Sequence, residues 1–426
     1  MIVKELLDRK REGRELEGGE IRELVGAYVR GDVTDSQMAA FAMAVCCRGM
    51  SAAETDALVD SMRRSGVSLE WDLPFTADKH STGGVGDKLS LIVQPLAAAC
   101  GLHVPSLTGR GLGFTGGTAD KMESIPGYSA ALPLGDFKRV VADCGVSIAT
   151  QTEEIAPADR KLYALRDATG TVPSIPLIVA SILSKKLAEG AETLVFDVKC
   201  GEGAFMASRD DAVRLARALT DGAKAAGRRA AALVTAMDEP LGFAVGNAME
   251  VDEAVDVLKG AEGPRDVKEL SLRLAALMVA LAKGVSPEAA RAECDARLAD
   301  GSAYGRFAEM VRLQGGDLSA FERRTRPEGT VVVADRSGFV LRVGAAAVAA
   351  AAFTAGAGRA KAGDAIDRDA GVLLRVRRGD RVEKGDAIAT VVARADAGAV
   401  AEKVRSAVEI GDTPPSAAEL VLEEIP

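Results

Sequence analysis

Aromatic side chains are scarce in this chain, making up 4% of its 426 residues with a single tryptophan. Its cores must therefore be built from Ala, Val, Leu and Ile, which a hydrophobic share of 48% allows. Cysteine is sparse too. Its six positions (46, 47, 100, 144, 200 and 294) show no CxxC and no Cys/His spacing of the kind that holds zinc. Most sit among apolar neighbours, as in Ala44-Val45-Cys46-Cys47 and Ala98-Ala99-Cys100, so buried thiols are expected. No apolar run reaches the roughly 18 residues needed to cross a bilayer, and Met1 to Arg14 is charged and helix-like. The expectation is a cytoplasmic protein with no membrane partner. Positive charge is in deficit: the net charge is −9 and the pI near 5.2, which argues against a nucleic-acid partner. Histidine occurs only twice, at positions 80 and 103.

What the chain does have is two glycine-rich stretches. The first is Asp78-Lys79-His80-Ser81-Thr82-Gly83-Gly84-Val85-Gly86-Asp87-Lys88. The second is Thr108-Gly109-Arg110-Gly111-Leu112-Gly113-Phe114-Thr115-Gly116-Gly117-Thr118-Ala119-Asp120-Lys121. Glycine lets backbone N–H groups approach a ligand closely, and runs of such groups make anion-binding concavities. Lysine adds charge, and serine and threonine add donors suited to phosphate oxygens. In an acidic protein the attraction must be local, with Lys79, Arg110 and Lys121 as the obvious contributors.

A chain of this length suggests two or three domains. Residues 1–66 read as several helices, with Ser51 and Glu54 in capping-box positions and Met38, Phe41, Ala42 and Val45 at helical spacing. From about residue 75, apolar strand-like runs (103–107, 146–149, 193–198, 231–235) alternate with helical ones (89–102, 209–226, 267–282). That alternation predicts an α/β domain with a mostly parallel sheet, whose ligands bind beyond the carboxyl ends of the strands. From about 330, short strand-like runs return around 331–333, 338–342 and 371–376. Residues 378–386 form a turn pattern typical of barrel-sandwich domains related to lipoyl carriers. There is no Met-Lys-Met for lipoylation or biotinylation, so a structural appendage is expected.

The glycine stretches resemble the thymidine and pyrimidine-nucleoside phosphorylases, a branch of the family that includes anthranilate phosphoribosyltransferase. The resemblance extends through Ala156-Pro157-Ala158-Asp159, Leu165-Arg166-Asp167, Ser174-Ile175-Pro176-Leu177-Ile178 and Ser181-Ile182-Leu183-Ser184-Lys185-Lys186-Leu187. It continues through Asp197-Val198-Lys199-Cys200-Gly201-Glu202-Gly203-Ala204-Phe205-Met206, Pro240-Leu241-Gly242 and Gly246-Asn247-Ala248, so it covers nearly the whole chain. It implies a helical domain of residues 1–66 joined by about 160–190. An α/β phosphate-binding domain would span 75–159 and 191–325, and a C-terminal α+β barrel-sandwich-like domain 330–426. It also implies a homodimer through the helical domain, and a cleft that closes to exclude water.

By the same resemblance, Lys79, Ser81, Ser90, Ser106, Thr108 and Thr118 would surround phosphate, and Arg166, Ser181 and Lys185 would bind and activate the base. Ser181 and Lys185 are four apart, hence on one helical face. One hydroxyl and two cations suit a pyrimidine carbonyl and N3–H, and can stabilise charge on a departing base. A potassium ion held by carbonyls of Gly86, Lys88, Leu241 and Ala244 and the carboxylate of Glu253 is also implied, a donor set that suits a hard cation. No organic cofactor is implied. The activity implied is that of a pentosyltransferase: a pyrimidine (deoxy)nucleoside and phosphate give free base and (deoxy)ribose 1-phosphate. A phosphoribosyltransferase of the same fold would need a magnesium-bound pyrophosphate site, and the long second glycine motif favours the phosphorylase.

Phe114 departs from the pattern, which has histidine after Gly-Leu-Gly. Phenylalanine can pack on a base but offers its O2 no hydrogen bond, so wider base tolerance, another base, or a silent nucleoside-binding homologue are the readings it raises. Phe114→His is expected to raise kcat/KM on pyrimidine nucleosides in a comparison of both forms across several substrates. Unchanged rates and selectivity would assign the ring to core packing.

Overall fold

The computed structural model describes all residues except 1, 112–115, 262, 360, 362–363 and 395. The chain opens with helices α1 (Val3–Arg11), α2 (Gly18–Arg30), α3 (Asp35–Arg48) and α4 (Ala52–Arg63). The expected Ser51–Glu54 capping box starts α4, and Thr34–Gln37 starts α3 in the same way. Glu54 does more than cap. Its carboxylate accepts the Leu16 amide (2.9 Å) and both its oxygens lie 2.8 Å from Lys10 Nζ, a pair with side chains 1% and 3% exposed that ties α1 to α4.

The α/β part contributes β1 (Ala77–Ser81), α5 (Leu89–Ala99), β2 (Val104–Thr108), α6 (Thr118–Met122), α7 (Leu134–Cys144) and β3 (Val146–Thr150). The chain then crosses to the bundle as α8 (Pro157–Thr169) and α9 (Ile175–Ala188), where Ala158, Leu162 and Leu177 share a core with Leu24, Phe41 and Leu58. It returns as β4 (Thr193–Cys200), α10 (Arg209–Ala225), β5 (Arg229–Ala236), β6 (Ala244–Gly246), α11 (Asn247–Leu258) and α12 (Arg265–Lys283). Three more helices follow: α13 (Pro287–Ala299), α14 (Ser302–Leu313) and α15 (Leu318–Arg323). Strands β1, β4 and β5 pair in parallel, as do β2 and β3, and a parallel bridge from Thr76 to His103 joins the two sets. Strand β4 is buried throughout, so its two faces feed two cores. Leu194, Phe196 and Val198 pack with the bundle and α10, while Val195 packs with the cluster of α5 and α12.

The C-terminal part holds β7 (Thr330–Val333), β8 (Gly338–Val343), α16 (Ala345–Ala352), β9 (Gly371–Leu374), β10 (Arg381–Val382), β11 (Ala387–Val392), α17 (Ala397–Ala407), β12 (Val408–Gly411) and β13 (Val421–Ile425). Two small sheets result, ordered β10-β8-β12 and β6-β9-β11-β7. Two strand pairings cross the expected boundaries. β6 leaves the α/β segment to pair with β9, and β13 adds an antiparallel edge to β5. The last strand of the 330–426 block thus belongs to the large sheet. The thiols also differ from expectation: Cys100, Cys144, Cys200 and Cys294 are buried, but Cys46 is half-buried and Cys47 is exposed near the end of α3.

Burial raises the Glu54 carboxyl, but Lys10 and the amides of Leu16 and Ser51 outweigh it and hold the group below the usual carboxylate range. The resulting stability is present at neutral pH and is lost as pH falls through the folded value. Lys10→Met, which strands this carboxylate, should cost about 3–5 kcal/mol in chemical denaturation at pH 7. A change near zero would show that the pair does not hold the bundle.

Candidate active site

The first glycine stretch runs from the carboxyl end of β1 into α5, where the sheet topology places ligands. Register sets Ser81 beside Asp197 of β4, and Lys199 beside Thr235 of β5. Lys199 Nζ pairs with Asp197 (2.8 Å) and donates to Thr235 Oγ1 (3.1 Å), whose hydroxyl donates to Asp197 Oδ1 (2.7 Å). Lys121 of α6 pairs with Glu250 of α11 (2.7 Å) and donates to the Asp87 carbonyl (2.7 Å). The Asp87 carboxylate accepts from Ser81 Oγ (2.5 Å), which in turn accepts the Gly83 amide (3.1 Å). Burial opposes ionisation of Asp87, yet Lys199, Lys79, Lys121 and the Ser81 hydroxyl hold its carboxyl far below the usual range.

Lys79 differs from its neighbours. It is 1% exposed, yet its Nζ lies 3.4 Å from Asp197 and 3.5 Å from Ser90 Oγ, with no shorter contact among the described residues. Lys199 and Lys121 are committed to short ion pairs, so of the three Lys79 has the loosest one. Ser90 stands beside it and Ser81 lies two residues on along β1, while Thr108 ends β2 and Thr118 opens α6, both half-buried. Ser106 does not join this group. It is buried inside, accepting from Gln94 Nε2 (3.0 Å), which also binds Asp78 (2.8 Å) and the Lys79 carbonyl (3.1 Å). Its hydroxyl braces β1 against β2.

The second group of residues lies on α8 and α9. Lys185 Nζ donates to Ser181 Oγ (3.0 Å), to the Ser181 carbonyl (2.6 Å) and to Asp159 Oδ2 (2.5 Å). Asp159 is 3% exposed, and its Oδ1 has no hydrogen-bond partner among the described residues. Arg166 is 1% exposed and donates to the carbonyls of Val172 (2.7 Å), Leu177 (2.9 Å) and Thr171 (3.3 Å). It clamps the α8–α9 turn, leaving two of its five N–H donors uncommitted. Burial lowers its pKa, against the attraction of Asp159. Between the two groups sits His80. Burial, with Lys186, Lys185 and Lys79 adding repulsion, holds its imidazole well below the ordinary range, hence neutral at pH 7.

Two sets of expected ligands have partners within the chain. Arg110 is 44% exposed and forks onto Glu123 (2.7 Å twice) and Asp120 (3.3 Å). Asp120 is also gripped by Arg359 of the C-terminal part (2.7 and 2.8 Å), which reaches the Gly111 carbonyl as well (3.0 Å). The implied potassium ligands Leu241, Ala244 and Glu253 do converge, but on the side-chain ammonium of Lys88. Phe114 lies outside the described residues. Asp197 and Lys199 stood in the quoted Asp-Val-Lys-Cys-Gly-Glu motif and Asp159 in Ala-Pro-Ala-Asp, without an assigned role; pairing each with a lysine needs the fold. A cavity of about 460 Å³ beside Thr55, Asp56, Pro176 and Asp221 has no cation in its lining.

Comparison with known proteins agrees with this geometry. Residues 73–304 match the glycosyl transferase family a/b domain, and residues 4–66 its helical bundle domain. Residues 339–411 match the pyrimidine nucleoside phosphorylase C-terminal domain. The thymidine phosphorylase of Mesorhizobium japonicum is 45% identical, covering 100% of this chain and 99% of that protein. The chain belongs to the thymidine and pyrimidine-nucleoside phosphorylase family. Another member, the pyrimidine-nucleoside phosphorylase of Geobacillus stearothermophilus, is 42% identical with 100% of both chains covered. The crystal structure of anthranilate phosphoribosyltransferase from Thermus thermophilus shares the fold over 72% of this chain and 98% of its own, with a TM-score of 0.60 at 21% identity.

For a phosphorylase-family site built this way, Lys185→Ala and Arg166→Ala should each lower kcat/KM more than tenfold, at least ~1.4 kcal/mol of transition-state stabilisation. Arg166→Ala should also lower the melting temperature, because it frees three buried carbonyls. Wild-type kinetics in a folded Lys185→Ala would show that the base binds elsewhere.

Proposed function

We propose that the chain is a pyrimidine-nucleoside phosphorylase, with Lys79, Ser81, Ser90, Thr108 and Thr118 binding phosphate and Ser181, Lys185 and Arg166 binding the base. The observation that carries this reading is the buried Lys79 ammonium, whose ion pair with Asp197 is long (3.4 Å) and which has the Ser90 hydroxyl beside it (3.5 Å). Phosphate takes that charge and is held with one oxygen towards C1′ of the nucleoside. The C1′–N bond breaks as the C1′–O bond to phosphate forms, through an oxocarbenium-like state. The departing base carries the bonding electrons, and Lys185 stabilises them from the α9 side while Asp159 keeps its ammonium in place. The proton that hydrogen phosphate gives up ends on the base. Preorganised donors of this kind contribute on the order of 10²–10³ in rate each. Closing the cleft between the helical and α/β parts excludes water, the competing nucleophile. A homodimer through the helical part, in the cytoplasm, completes the reading.

The test is base release from thymidine and uridine, followed with and without inorganic phosphate. Release should require phosphate and yield the sugar 1-phosphate. Equal release in phosphate-free buffer would identify a hydrolase instead.

A further inference from the structure

The implied potassium ligands are spent within the chain itself. Lys88 Nζ donates to the carbonyls of Leu241 (2.8 Å) and Ala244 (3.0 Å) and to Glu253 Oε2, which uses all three ammonium protons. The Gly86 carbonyl accepts the Lys88 amide (2.9 Å), and the Lys88 carbonyl accepts the Leu91 amide (3.0 Å). Glu253 is completed by the amides of Phe243 (2.8 Å) and Ala244 (3.3 Å). The lysine side chain is 0% exposed and the glutamate 10%. Two glycines with positive φ wall the cage. A Cβ on Gly242 (φ +71) would sit 2.1 Å from Glu253 Oε2 and 2.6 Å from Lys88 Nζ, and one on Gly86 (φ +67) 2.4 Å from the Leu241 carbonyl. A metal cation placed on these oxygens would meet a buried like charge in contact, so potassium does not fit.

We propose that the Lys88 ammonium is a cation built into the chain, doing for this cage what a bound monovalent cation would otherwise do. Its place explains why that matters. Lys88 sits between Asp87, which orients Ser81, and Ser90 on the first turn of α5. Through Nζ it fastens this turn to the segment carrying Leu241 and Ala244 and to α11. Lys88 is therefore a positioning residue for the phosphate loop, and a tethered charge makes the loop independent of the potassium concentration.

The experiment compares the wild type with Lys88→Ser in potassium, sodium and choline chloride at matched ionic strength. The melting temperature without substrate and kcat/KM for phosphorolysis are both read. The wild type should behave alike in all three salts. Lys88→Ser should lose about tenfold in kcat/KM in choline and regain most of it in potassium, with a rise in melting temperature, as expected of an ion that binds only the folded cage. A wild type activated or stabilised by potassium over choline overturns the inference, as does a folded Lys88→Ser that is indifferent to potassium. Should Lys88→Ser fold in no salt, the wild-type comparison alone decides. The inference rests on the phosphorylase reading only for its kinetic half. The melting comparison needs no nucleoside, so the two fail separately.

Discussion

A buried lysine whose carboxylate partner is 3.4 Å away and shared with a second lysine is the constraint from which the proposed phosphate site follows. Removing an ammonium from water costs several kcal/mol, and folds keep such a group only where charge and hydrogen bonds offset the loss. Lys199 meets that cost through Asp197, Lys121 through Glu250 and Lys88 through Glu253. Lys79 meets it less completely, at 3.4 Å from an Asp197 already engaged by Lys199. On the proposed reading, the short ion pairs fix the other ammonium groups and leave Lys79 for a substrate anion. An acidic chain can thus bind an anion without a basic surface.

The helical side follows the same logic with a different partner. Lys185 is held by Asp159 and Ser181, whose acceptors aim the ammonium without burying it, since its side chain stays 19% exposed. Arg166 contributes through the shape of the α8–α9 turn as well as through its charge. The bundle core that positions both helices is in turn secured by the Lys10–Glu54 pair. A further buried pair ties the two parts together: Lys186 of α9 reaches Asp78 of β1 (2.5 Å) and the Leu107 carbonyl of β2 (2.9 Å).

The sequence made local structure legible and left long-range pairing dark. Strand runs at 193–198 and 231–235 are plain because both faces of β4 and β5 are buried and the runs are mostly apolar, Asp197 excepted. The β6–β9 and β5–β13 pairings join segments far apart in the chain, and no periodicity signals them. Cys47 was misread because the Ala-Val-Cys-Cys run looks apolar, while only one stripe of α3 faces the core. Within the candidate site, the four-residue spacing of Ser181 and Lys185 is legible, and the two side chains do meet at 3.0 Å. Sequence is silent where a side chain's direction decides its partners. Ser106 turns inward to Gln94, Arg110 turns out to Glu123, and Lys88 brings its ammonium, where a carbonyl ligand was expected. Arg359 reaches Asp120 from 239 residues away in sequence.

The account's central claim is that Lys79 is the cation reserved for phosphate. Titration calorimetry of inorganic phosphate into the wild type and Lys79→Gln, at constant ionic strength and pH, tests it most directly. The account predicts measurable phosphate binding by the wild type and a loss of at least about tenfold in affinity, ~1.4 kcal/mol, in a variant that remains folded. Equal affinities in the two proteins would contradict it.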